Sequence, residues 1–237
     1  MSINHSGSHK HTRAYQFARL LCVSSALLLS GTAAAHELDE ALFSAAQAGD
    51  AVEVRSLLER GADPDAIVSR NSSPRTPMTV AITGNHLKVV QALVEGGADL
   101  DRTVRGEPTP LTAAAATGNS GIVSYLMNSG ESADHSSRGD GSPLIAAARN
   151  GHADVAALLL RSGAEPDLYV SGDGSPMIAA VRSGDIEVVR LLLVAGSDPD
   201  LGVRGDGSPL IAAVKKDSPE LVELLLEAGA DPNQSVR

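Results

Sequence analysis

The chain has 237 residues, with 19 Lys+Arg against 29 Asp+Glu, no Trp, two Phe, three Tyr and one Cys, a length that suits one or two domains. Its apolar fraction of 43% is enough for a folded core, but only 2% is aromatic. Such a core must be built from Ala, Leu, Val and Ile, which favours closely packed small helices over a sandwich or barrel. The formal charge of −10 speaks against a general nucleic-acid binder.

Residues 1–19 contain Lys10, Arg13 and Arg19 and no acidic residue. The apolar run Leu20–Leu29 follows, and then Ser30-Gly31-Thr32-Ala33-Ala34-Ala35, with small residues before a cut after Ala35. This is the three-part pattern of a secretory signal peptide over 1–35. The apolar run is too short for a comfortable membrane span, which needs about 20 residues. Cys22 is the only cysteine and follows bulky Leu20-Leu21, which argues against a lipoprotein. Removing those 35 residues takes three basic side chains, so the remaining 202 carry 16 basic against 29 acidic groups and a formal −13. The expected mature chain, 36–237, then has no disulfide and depends on packing alone.

From residue 38 onward the sequence repeats. Pro77, Pro110, Pro143, Pro176 and Pro209 are each 33 residues apart, and each follows Thr or Ser. Gly97, Gly130, Gly163, Gly196 and Gly229 keep the same step, while Gly61 precedes Gly97 by 36, so the segment Ala66–Arg75 holds three extra residues. Six units are expected, over about 38–69, 70–103, 104–136, 137–169, 170–202 and 203–237. In each, Ser/Thr-Pro opens a first helix, because the hydroxyl caps free amides and Pro fits the first helical position. That helix stops at Gly49, Asn85, Gly118, Gly151, Gly184 or Asp217, the residue types that tolerate a left-handed backbone. Asp50, Asn119, Asp185 and Ser218 can cap a second helix, whose apolar face is exemplified by Val155, Leu158 and Leu159. One such unit cannot bury both of its apolar faces, but a row of them can.

Signatures of chemistry are missing. His36-Glu37-Leu38-Asp39-Glu40 starts like a zinc-protease helix, yet Glu40 stands where the second histidine belongs. His86 and His152 share one repeat position, which reads as structural. The Gly139-x-Gly141 pattern lacks the third glycine of a dinucleotide fingerprint, and no phosphate loop or nucleophile elbow occurs. Arg-Gly-Asp at 138–140 and 204–206 reads as a variable residue before a structural turn, since the third copy is Ser171-Gly172-Asp173. Neither a catalytic residue, a metal ligand nor a cofactor is therefore assigned.

The period, the Thr-Pro-Met, Thr-Pro-Leu and Ser-Pro-Leu starts, the Leu158-Leu159-Leu160 and Leu191-Leu192-Leu193 triplets and the Gly61-Ala62-Asp63 ending resemble ankyrin repeats over about 38–237. The usual Thr-Pro-Leu-His is altered: Ile145, Ile178 and Ile211 stand in the histidine position, as do Thr79 and Thr112. The Gly-Asp-Gly-Ser-Pro-Leu-Ile variant looks like arrays on exported bacterial proteins. The resemblance implies an all-α ankyrin solenoid of helix-turn-helix units with β-hairpin-like loops, non-enzymatic, binding a protein through hairpin tips and the concave ends of the first helices. Carried over by position, the binding residues are Arg138, Arg149, Asn150, Arg182, Arg204, Lys215 and Lys216, with Arg149, Arg182 and Lys215 as a basic stripe. A periplasmic module is the first expectation, and a secreted effector or inhibitor of a host or competitor protein is the alternative. A monomer without nucleic acid or a membrane span after signal cleavage is expected. The closing unit keeps Leu224-Leu225-Leu226, so an end insufficiently covered by Glu220, Glu223, Glu227, Lys215 and Lys216 would fray or self-associate.

Overall fold

Twelve helices and one short hairpin, as given by a computed structural model, occupy the described residues 34–70, 73–102, 104–136, 141–202 and 207–234. Residues 1–33 of the expected signal peptide, Arg138, Arg204 and both Arg-Gly-Asp tripeptides lie outside them. Unit 1 comprises α1 (34–48) and α2 (Ala51–Glu59); unit 2 comprises α3 (Pro77–Thr83) and α4 (Leu87–Glu95). Between them β1 (Val68–Arg70) and β2 (Ser73–Arg75) pair antiparallel, so the three extra residues are spent on a two-stranded hairpin. Units 3 to 6 follow as α5 (Pro110–Thr117) and α6 (Ser120–Asn128), α7 (Pro143–Arg149) and α8 (Ala153–Arg161), α9 (Pro176–Ser183) and α10 (Ile186–Val194), then α11 (Pro209–Lys215) and α12 (Pro219–Glu227).

Each first helix from α3 onward starts as its sequence dictates. Thr76, Thr109, Ser142, Ser175 and Ser208 accept from the amides of Thr79, Thr112, Ile145, Ile178 and Ile211, and Pro occupies the first helical position each time. Asp50, Asn119, Asp185 and Ser218 cap their second helices through the side chain. The six turn residues all have positive φ, including Asn85 at 61° and Asp217 at 57°. Glycine enters that region without a Cβ penalty, so Asp217→Gly is expected to raise stability by about 0.5–1 kcal/mol in denaturant melts. A loss would show that the Asp217 side chain contributes more than its backbone strain costs.

The helices stack in two layers. First helices α3, α5, α7, α9 and α11 touch in series, as do second helices α2, α4, α6, α8, α10 and α12. Alanines 113–115, 146–148, 179–180 and 212–213 are buried where first helices meet, and their small side chains allow close approach. Leu126, Leu159 and Leu192 are fully buried from the second layer. In the altered histidine position Ile145 and Ile178 simply pack, at 0% and 1% exposure, whereas Thr79 and Thr112 bond the capping hydroxyls of Thr76 and Thr109 at 2.8 and 2.9 Å.

The units are also clipped together by polar bonds along the loops that follow the second helices. Asp65, Asp134, Asp167 and Asp200 accept the backbone N–H of Asp99, Glu165, Asp198 and Asp231 in the next unit at 2.9–3.2 Å. Two buried carboxylates depart from this half-buried row. Glu107 accepts from the Thr76 N–H at 3.1 Å, and burial holds its pKa above the usual range. Glu131 stands where four other units have Ala62, Ala98, Ala164 and Ala230 and unit 5 has Ser197; its Oε1 accepts the Leu111 N–H at the start of α5, while buried Oε2 has no partner. Desolvation pushes its pKa up to about 8.

Candidate protein-binding face

The C-terminal ends of the first helices and the loops leading into the next unit form one edge of the first-helix layer. Two grooves open there. One, of about 370 Å³, is lined by Arg149, Asp173, Ile178, Arg182 and Ser183; the other, of about 250 Å³, by Arg182, Ala212, Lys215 and Lys216. Arg182 belongs to both, so the expected stripe of Arg149, Arg182 and Lys215 is contiguous across units 4, 5 and 6.

Its members are not equivalent. Arg149 Nη2 donates to Asp173 Oδ1 at 3.0 Å, tying α7 to the loop entering α9, so its charge is already matched within the chain. Asp173 is 7% exposed in its side chain, and its Oδ2 is buried without a partner. Asn150, expected as a contact, is exposed and donates to the Ala146 carbonyl of its own helix at 2.9 Å. Lys216 reaches back over Gly184 to donate to the Arg182 carbonyl at 2.9 Å. Lys215 is exposed and lines the second groove. Arg138 and Arg204 fall outside the described residues.

The repeat-phased histidine has a structural task. His152 Nε2 lies 3.0 Å from the Ala116 carbonyl of the preceding unit, and its ring covers turn residue Gly118 closely enough that a Cβ there would meet it at 2.7 Å. A carbonyl can only accept, so the proton sits on Nε2. This occupation explains why His152, unlike Asn119 and Asp185, makes no capping bond to its own helix.

Sequence reading passed over Tyr169. It is 53% exposed on the loop entering α9, beside Val170, which bridges to Gly174. An exposed tyrosine is a common binding anchor, because it offers large area with few rotatable bonds. The signal for it was a single aromatic in a column that otherwise holds Thr103, Ser136 and Gly202. Among the described residues, no group of three His, Cys, Asp or Glu is arranged to hold a metal ion, and no helix is long and apolar enough to cross a membrane.

The architecture defines a class: a linear array of helical hairpins whose function lies on a surface of variable side chains. A family model of ankyrin repeats matches three times, over residues 14–104, 102–170 and 162–236, and the chain belongs to the ankyrin-repeat family. Its fold is similar to the crystal structure of the human ASB11 ankyrin repeat domain, with a TM-score of 0.71 and 27% identity over 81% of this chain and 85% of that one. No curated protein sequence matches significantly. Ankyrin repeats are in general protein–protein interaction modules.

Proposed function

We propose that this protein is an exported, non-enzymatic binding module that holds an acidic segment of a partner protein along the first-helix face, which is concave in this family. The observation that carries the reading is the pair of grooves joined at Arg182, with exposed Lys215 lining the second of them. Against a chain of formal charge −10, a local cationic edge steers an acidic partner and fixes its register. Tyr169 supplies the apolar anchor. The N-terminal pattern of 1–35 supports export, with the periplasm as the site of action.

Affinity capture from the envelope fraction, with wild type and an Arg182→Glu/Lys215→Glu variant in parallel, tests this. The variant is expected to lose the partner by at least about tenfold in affinity at low salt. Arg149 is a poorer probe, since Arg149→Glu would place a second carboxylate beside Asp173. Tyr169→Ala is expected to weaken binding by about 1–2 kcal/mol without changing its salt dependence. Unchanged capture by the double variant would refute the acidic-partner reading.

A further inference from the structure

In unit 6, α11 and α12 expose the face that the preceding units bury. Ile178 and Val181 on α9 are 1% and 0% exposed under α11, but one period later Ile211 and Val214 are 37% and 63% exposed. On the second helix Leu226 is 44% exposed, and a groove of about 610 Å³ is lined by Val214, Pro219, Val222 and Leu226 with Glu223 and Glu227 at its rim. The other end differs: Ser44 is exposed in the column where Val80, Ala113, Ala146 and Ala179 are buried.

Charge says what covers the open end. Two columns reach forward across unit boundaries. Arg55 of α2 reaches Glu95 of α4 at 3.7 Å, and Arg149 of α7 reaches Asp173. In the last unit these columns hold Glu223 and Lys215. A second copy stacked head to tail would set Glu59, in the Glu95 column, against Glu223, and Leu38, in the Asp173 column, against Lys215. That arrangement repels at one position and is unmatched at the other. Two copies stacked tail to tail behave differently, because α11 ends in the cation and α12 carries the anion.

We propose that this open face is a self-association surface on which two copies of the chain pair tail to tail about a two-fold axis parallel to α11 and α12, so that α11 of each copy lies on α12 of the other. The rotation exchanges the two helices, carries Lys215 of each copy to the α12 edge beside Glu223 of the other, and sets Val214 into the opposing groove. Both pairs form twice, as an isologous interface requires. A two-fold axis perpendicular to the helices would instead lay α12 on α12 and oppose Glu223 and Glu227 with their own copies. Helices of seven and nine residues make a small face, so the dimer is weak, with a dissociation constant on the order of micromolar or above.

Sedimentation equilibrium of the full chain over a wide concentration range tests this. The mean mass is expected to rise with concentration and level off at two copies. Val214→Glu changes an exposed residue and should raise the dissociation constant by roughly tenfold or more, whereas Val52→Glu, on unit 1, should leave it unchanged. Lys215→Glu and Glu223→Lys should each weaken the dimer, and the double exchange should restore it. A monomer at every concentration, masses growing beyond two copies, or association indifferent to Val214→Glu (as sticking through the apolar run 20–29 would be) overturns the proposal. Circular dichroism melts of each variant establish that it folds.

Discussion

Leu144→Ala is expected to cost about 2–5 kcal/mol of stability and to split unfolding into two transitions. Leu144 is fully buried in α7, which packs on α5, α8 and α9. Its truncation removes apolar contacts and leaves a cavity that the neighbouring alanines are too short to fill. In a linear array, stability is a sum of unit and nearest-neighbour terms, so a weakened middle unit uncouples the units on either side. Hydrogen exchange should then show units 1–3 and units 5–6 opening independently, while wild type opens more cooperatively. Val194, 88% exposed on the neighbouring second-helix layer, supplies the control, and its replacement by Ala should change stability by less than about 0.5 kcal/mol. A loss below about 1 kcal/mol for Leu144→Ala would show that the layers are far less tightly packed than their burial indicates.

Glu131→Gln is expected to stabilise the protein at alkaline pH and to make little difference near pH 4.5. Burial raises the Glu131 pKa from 4.5 to about 8, against the opposing effect of the Leu111 N–H, and nearby Asp101 adds to the rise. The folded state therefore binds the proton more tightly than the unfolded chain. The corresponding stability is fully present below about pH 4.5 and is lost as pH rises towards 8, by a few kcal/mol at most. Glu107 and Asp65 shift in the same direction, also chiefly by desolvation, and reinforce the trend. Gln keeps an oxygen for the Leu111 amide but has no charge to desolvate. The difference in melting temperature between variant and wild type should thus grow from pH 5 to pH 8.5 and then level off. A pH-independent difference would mean that Glu131 is solvated or paired when ionised.

These two residues also illustrate what the amino-acid sequence shows and what it conceals. Period, caps and turns were legible because they are local: Ser142-Pro143 or Asn119 specifies its own hydrogen bond within three residues, and Asp217 declares a left-handed turn by taking a glycine position. Leu144 follows directly from its place in the repeat. Glu131 could be seen as an odd member of an alanine column, but its burial depends on α5 closing over it, a contact 20 residues away in sequence. Links between units were hidden for the same reason. Asp65 and its counterparts clip successive loops, a role that no local pattern declares. Arg149 looked like a free binding cation, yet it is paired with Asp173. Asn150 and Lys216 similarly spend their polar groups on backbone carbonyls. In a repeat protein a side chain also meets the neighbouring units, some 20 to 35 residues away in sequence, so its availability is decided there as well as within its own helix.

The central claim, that a partner lies along the first-helix edge, is tested most directly by site-specific photo-crosslinking in the producing cell. A crosslinker at Lys215 on that edge is compared with one at Glu187 on α10, in the second-helix layer. A crosslink at 215 to a protein other than a second copy of this chain, reduced by Arg182→Glu and absent at 187, is the predicted result. Crosslinking at 187 with none at 215 would contradict the account.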